Sequence, residues 1–234
     1  MRFGNTNPVI RSVANRSTYA IDGALTYSSV GLRTFLLLLI TGGVGIYTYA
    51  NLATVLTWPM LIGAFILAFV SAMIGTYSVK LSPIFSVIYA ASEGFVMAFL
   101  SALYASSYEG IVPTAISTTF VVLLITLLLY SSGIVKVTAG FSKFLVIGLI
   151  SVMVMALLSF VLPFTGGLYY LAVGLSALIS VLFLFYDFET IKTCVDAGTD
   201  KSYSWVLALG LMVTLVWVYV EILRLLAIFA GRRR

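Results

Sequence analysis

The chain has 234 residues, 62% of them apolar and only 9% charged, with a net charge of +5. A soluble domain carries roughly 25% charged residues, so a water-soluble fold of this length is excluded. Histidine is absent and cysteine occurs once, at Cys194. That removes an internal disulfide, the usual ligand sets for zinc, haem or copper, and histidine-assisted catalysis. No resident cofactor and no enzymatic activity are expected. The net positive charge sits at the flanks of apolar runs, where it acts on topology and lipid headgroups. It is no argument for nucleic acid.

Residues 1–30 are polar and mixed, with Arg2, Arg11, Arg16 and Asp22. The stretch from Val9 to Tyr27 reads either as a short interfacial helix or as a tail. Apolar runs follow at Gly31–Ala50, Trp58–Val79, Ile84–Tyr104, Pro113–Tyr130, Phe144–Leu162, Leu168–Tyr186 and Trp205–Phe229. A membrane helix needs about 20 apolar residues, so the expectation is an all-α membrane domain over 31–229 with seven spans. A basic tail, 230–234, ends the chain. The first run lies too far from the N-terminus for a typical signal peptide. Asp187 to Ser204 reads as the one longer polar loop, placing Tyr186, Glu189, Asp196 and Asp200 at the surface.

Seven spans put Arg2, Arg11, Arg16, Arg33, Lys80, Lys136, Lys143, Lys192 and Lys201 on one side. Only Arg232, Arg233 and Arg234 fall on the other. The positive-inside rule then places the N-terminus in the cytoplasm and the C-terminus outside. Six spans with a re-entrant segment would be the alternative. Gly42, Gly43 and Gly45, then Ala64, Ala68 and Ala72, then Ala98 and Ala102 supply small residues for close helix contact in lipid.

Carboxylates inside spans are costly and mark either structure or function. Glu93 lies at the centre of the third span. Asp187 closes the sixth, where a solvated helix end is the bland reading. In the last span Gly210, Thr214, Trp217, Glu221 and Arg224 share one face at helical spacing. Glu221 and Arg224 form either a buried structural pair or, with Asp187, Glu93 and Thr214, the lining of a cation or proton pathway. Carboxylate and hydroxyl oxygens suit a hard cation such as Ca²⁺, held transiently at Asp187 and Glu221.

The run Phe183-Leu-Phe-Tyr-Asp187-Phe-Glu-Thr-Ile-Lys192 is followed by a stretch from Ala208 through Glu221 to Arg224. Together they resemble the C-terminal signature of the Bax inhibitor-1 family, also called the transmembrane Bax inhibitor motif family. Asn7-Pro-Val, Leu25-Thr-Tyr and Glu93-Gly-Phe are similar to its bacterial branch. The resemblance implies a seven-helix bundle with the last helix central, in the bacterial cytoplasmic membrane. It also implies a pH-sensitive calcium leak, in which two aspartates on the sixth and seventh helices share a proton through coupled titrations. Asp187 matches the first aspartate. At the second position this chain has Thr214, and the nearest acid on that face is Glu221, two turns along.

The leading expectation is therefore passive permeation of Ca²⁺ or protons. The alternative is a non-conducting regulator that binds other membrane proteins, such as the membrane protease with which some bacterial relatives associate. A retinal protein would need a lysine in the last helix, and no lysine follows Lys201. A coupled transporter would show inverted repeats, which are not visible.

Overall fold

The structure is a computed structural model that describes residues 23–52, 57–159, 161–162 and 165–231. Arg2, Arg11, Arg16, Asp22, most of the Val9–Tyr27 stretch and the Arg232–Arg234 tail lie outside the described residues. Seven helices follow in order: α1 Tyr27–Ala50, α2 Trp58–Tyr77, α3 Ser82–Ala105, α4 Ile111–Ser131, α5 Ala139–Leu158, α6 Gly166–Asp196 and α7 Tyr203–Gly231. All seven are long and apolar enough to cross a membrane. Among the described residues the fold is all-α, with the seven helices expected of a seven-helix membrane bundle.

Helix starts come from local chemistry that hydropathy does not register. Thr26 and Ser29 form a reciprocal capping box at α1, each side chain accepting the other's backbone N–H at 3.2 Å. This start takes four residues from the expected N-terminal segment. Thr57 caps α2, with Pro59 in its first turn. Thr138 caps α5 by accepting the Phe141 N–H at 3.2 Å, so the helix starts at Ala139, five residues before the apolar run expected there.

The largest departure from expectation is α6. Its helix does not stop at Tyr186 but continues to Asp196, so the polar loop shrinks to the residues between Asp196 and Tyr203. Phe188, Ile191 and Cys194 remain buried along one stripe beyond Asp187, while Lys192 and Asp196 lie exposed. The charges that suggested a loop are the outer face of an amphipathic helix. Gly198, at φ +63°, then ends it with the left-handed turn that glycine favours. At 31 and 29 residues, α6 and α7 extend to about 45 Å each, well past a hydrocarbon core of about 30 Å.

Large apolar side chains face outward on most helices, among them Leu32, Phe65, Ile66, Leu128, Ile147 and Leu157. That is the pattern of a surface covered by lipid. The last helix is the exception: 61% of its most apolar stretch is buried, against 6% for α5.

The chain divides into two compact units. The first comprises Met1–Phe99 with Glu189–Met212. Here α1 and α3 approach so closely that a Cβ on Gly94 would stand 2.5 Å from the Thr41 carbonyl oxygen. The Thr41 hydroxyl donates to the Ala90 carbonyl at 2.7 Å across the same contact. Of the three glycines expected to pack α1, only Gly45 does so; a Cβ on Gly42 or Gly43 would meet nothing within 4 Å. On α2, Ala68, Ser71 and Gly75 form the buried face. Ahead of α1, Ala24 pairs antiparallel with Asp200, and Leu25 N–H donates to the Thr199 carbonyl at 2.8 Å. The Arg33 guanidinium lies 5.2 Å over the Trp205 ring and donates to the Lys201 carbonyl.

The second unit comprises Leu100–Phe188 with Val213–Arg234. Leu145, Leu184, Val218 and Leu223 are fully buried in it. Gly148 of α5 packs against Ile179 of α6, and Ser101 of α3 shares a 2.8 Å hydrogen bond with Tyr219 of α7.

A candidate ion pathway along the sixth and seventh helices

Two polar levels lie along α6 and α7 of the second unit. At the first, the Thr214 hydroxyl is within hydrogen-bonding reach of the Asp187 carboxyl. Asp187 Oδ2 is buried and has no hydrogen-bond partner. Because α6 runs on for nine residues past it, Asp187 is not a solvated helix end, and that bland reading is corrected.

At the second level, Glu221 is 2% exposed. Its Oε1 accepts from Ser176 Oγ at 2.7 Å, from Trp217 Nε1 at 3.3 Å and from Arg224 Nη1 at 3.2 Å. Trp217 Nε1 also lies 3.3 Å from Ser176 Oγ. Oε2 of the same carboxylate is buried with no partner. The Arg224 side chain is 43% exposed and meets the Tyr104 phenol of α3. Glu221 is thus a buried carboxyl group tethered to a half-exposed guanidinium, with three donors converging on one oxygen.

Phe183 and Trp217 pack ring against ring at 5.9 Å between the two levels. Thr214 and Glu221 are two turns apart on α7, about 10 Å along its axis. Asp187 and Glu221 therefore hold separate sets of partners. Among the described residues, no three acidic or thiol side chains gather to hold a metal ion. Glu93 belongs to the other unit, half-buried on α3 one turn from the buried Tyr89 phenol.

The model of the Bax inhibitor 1 like family matches residues 7–231. The chain belongs to that family. No curated protein matches it by sequence. Within this Bax inhibitor 1 like chain, the α6–α7 pair carries the stretch whose resemblance was strongest, and it carries both buried carboxylates of the second unit.

Ser176 and Tyr104 escaped the sequence reading. A signal for Ser176 exists: Ser176, Ser180, Phe183 and Asp187 recur at four, three and four residues, the mirror of the Thr214–Arg224 stripe on α7. Tyr104 has no such signal, because one tyrosine among fourteen at the end of an apolar helix is unremarkable in composition.

Proposed function

We propose that this protein conducts cations passively, as a Ca²⁺ or proton leak, along the polar stripes of α6 and α7. The observation that carries the reading is the pair of carboxylates, Asp187 and Glu221, each with a buried oxygen that nothing in the helices satisfies. A bundle that needed these groups only for structure would satisfy both oxygens, since an unmet acceptor inside a membrane is costly. An oxygen left free faces whatever moves past it: water, a proton or a hard cation. Arg224 neutralises Glu221 at one level and keeps that level from holding a cation permanently. Thr214, in place of a second acid, gives Asp187 a neutral neighbour, so any response to pH rests on single carboxylates rather than on a shared proton.

The reading includes a non-enzymatic role, no resident cofactor, and placement in the cytoplasmic membrane of a bacterium with the N-terminus inside. The similarity to the family's bacterial branch supports the placement, and the one-sided lysines and arginines support the orientation.

The test is flux of ⁴⁵Ca²⁺ and of protons into liposomes holding the purified chain, at pH values from about 5 to 8. Asp187→Asn and Glu221→Gln should each lower flux several-fold while the helical circular-dichroism signal stays unchanged. Flux no greater than in empty liposomes at every pH would sink the pathway. It would move the assignment to a regulator that binds other membrane proteins.

A further inference from the structure

A hydroxyl buried in a membrane helix ordinarily closes on a carbonyl of its own preceding turn. Thr34, Thr126 and Ser180 do this at 3.0, 2.8 and 2.8 Å. Ser71, Ser82 and Ser86 do not. Each is fully buried, and each Oγ is without a hydrogen-bond partner.

The three belong to one seam of the first unit. Ser82 and Ser86 occupy successive turns of α3. A Cβ on Gly75 of α2 would stand 3.8 Å from the Ser86 backbone nitrogen, and Ser71 lies one turn before Gly75 on the same buried face. The α3 stripe continues at helical spacing through Tyr89, which is 5% exposed, to Glu93. Ser82 is the first residue of α3, just after the exposed Lys80 and Leu81 of the turn. From Ser82 to Glu93 is eleven residues, about 16 Å and thus roughly half the hydrocarbon thickness.

Buried polar groups that lack a protein partner are ordinarily met by ordered water, which needs two to four polar neighbours. Hydroxyls one turn apart, ending at a phenol and a carboxyl, supply such neighbours in series. We propose that the α2–α3 seam holds a file of water that connects Glu93 to the aqueous phase at the α2–α3 turn, a half-channel for protons ending at mid-membrane. The serines hold the water, Tyr89 passes the hydrogen-bonded chain onward, and Glu93 gives and takes the proton at its inner end. This route lies within the first unit and does not rest on the α6–α7 reading, so either can fail alone.

Hydroxyl-radical footprinting of the unaltered chain in lipid nanodiscs tests it, because the radicals arise from water beside the modified side chain. Tyr89 should be oxidised despite its burial, and more than Met97, a chemically more reactive side chain one turn past Glu93 and 9% exposed. The double variant Ser82→Val, Ser86→Val should lower Tyr89 oxidation on the order of tenfold, since a dry, apolar seam holds no water. Tyr89 protected in the unaltered chain overturns the proposal. So does oxidation of Tyr89 that the double variant leaves unchanged, because the serines would then not be holding the water.

Discussion

Glu221 shows how a single charge is kept inside an apolar helix. Three donors point at Oε1, and two of them are neutral. The ion pair to Arg224 is therefore only part of what holds the carboxylate. Removing Arg224 leaves the charge buried with Ser176 and Trp217 alone, which is more damaging than removing both charges together. Arg224→Ala should destabilise the bundle by about 1–3 kcal/mol, read as a lower midpoint of thermal unfolding in detergent. The double variant Glu221→Gln, Arg224→Ala should recover much of that loss, because a glutamine still accepts from Ser176 and Trp217 without a charge to compensate. An Arg224→Ala midpoint equal to that of the unaltered chain would mean that the Arg224 contact contributes nothing to holding Glu221. The same residue explains why the site was only half legible. A glutamate and an arginine at i and i+3 in an apolar run announce themselves. Ser176, which makes the shortest bond to Glu221, looks like any other serine until the matching stripe on α6 is counted.

At the scale of helices, glycine contacts separate packing that is fixed from packing that yields. A Cβ on Gly94 would meet backbone, the Thr41 carbonyl oxygen at 2.5 Å, and backbone moves only if the whole of α1 moves. A Cβ on Gly148 would meet Ile179 Cδ1, also at 2.5 Å, but that atom is the end of a side chain that can rotate. Gly94→Ala should therefore cost about 1–3 kcal/mol or more, and Gly148→Ala clearly less. Adding Ile179→Val should restore Gly148→Ala toward the unaltered unfolding midpoint. Equal losses for the two alanine variants would contradict the distinction. The seven spans themselves were readable from apolar runs, because crossing a bilayer forces length and composition together. Their ends were not. Thr26 and Thr138 start α1 and α5 through hydrogen bonds that hydropathy does not register. The far end of α6 was lost because charges on the outer face of an amphipathic helix look, in sequence, like a loop. Gly94 was noticed for its neighbour Glu93 rather than for the contact it makes. The unsatisfied hydroxyls of Ser71, Ser82 and Ser86 were beyond sequence altogether, since whether a serine closes on its own helix depends on side-chain rotamer and neighbours.

Under the proposed topology all seven helices cross the membrane, which would put the two ends of the chain on opposite faces, with charge deciding which face is which. Arg33 lies in the second turn of α1, Lys80 in the α2–α3 turn and Lys136 before α5. Lys143 lies in the first turns of α5, Lys192 near the end of α6 and Lys201 in the α6–α7 loop. In that topology all six would belong to the face where α1 begins. The α1–α2, α3–α4 and α5–α6 connections hold no lysine or arginine, and only Glu109 is charged there. Short loops carry this bias most strongly, so the six should outweigh the three arginines at the C-terminus. A C-terminal alkaline phosphatase fusion, active only outside the cytoplasm, should be active in bacterial cells, and a C-terminal green fluorescent protein fusion dark. Removing Arg232, Arg233 and Arg234 should change neither result. Replacing Lys80, Lys136, Lys143 and Lys201 by glutamine should leave fewer charges opposing the tail and produce a mixture of orientations. A fluorescent C-terminus on the unaltered chain would reverse the proposed orientation, and the water file from the α2–α3 turn to Glu93 would then open outside the cytoplasm.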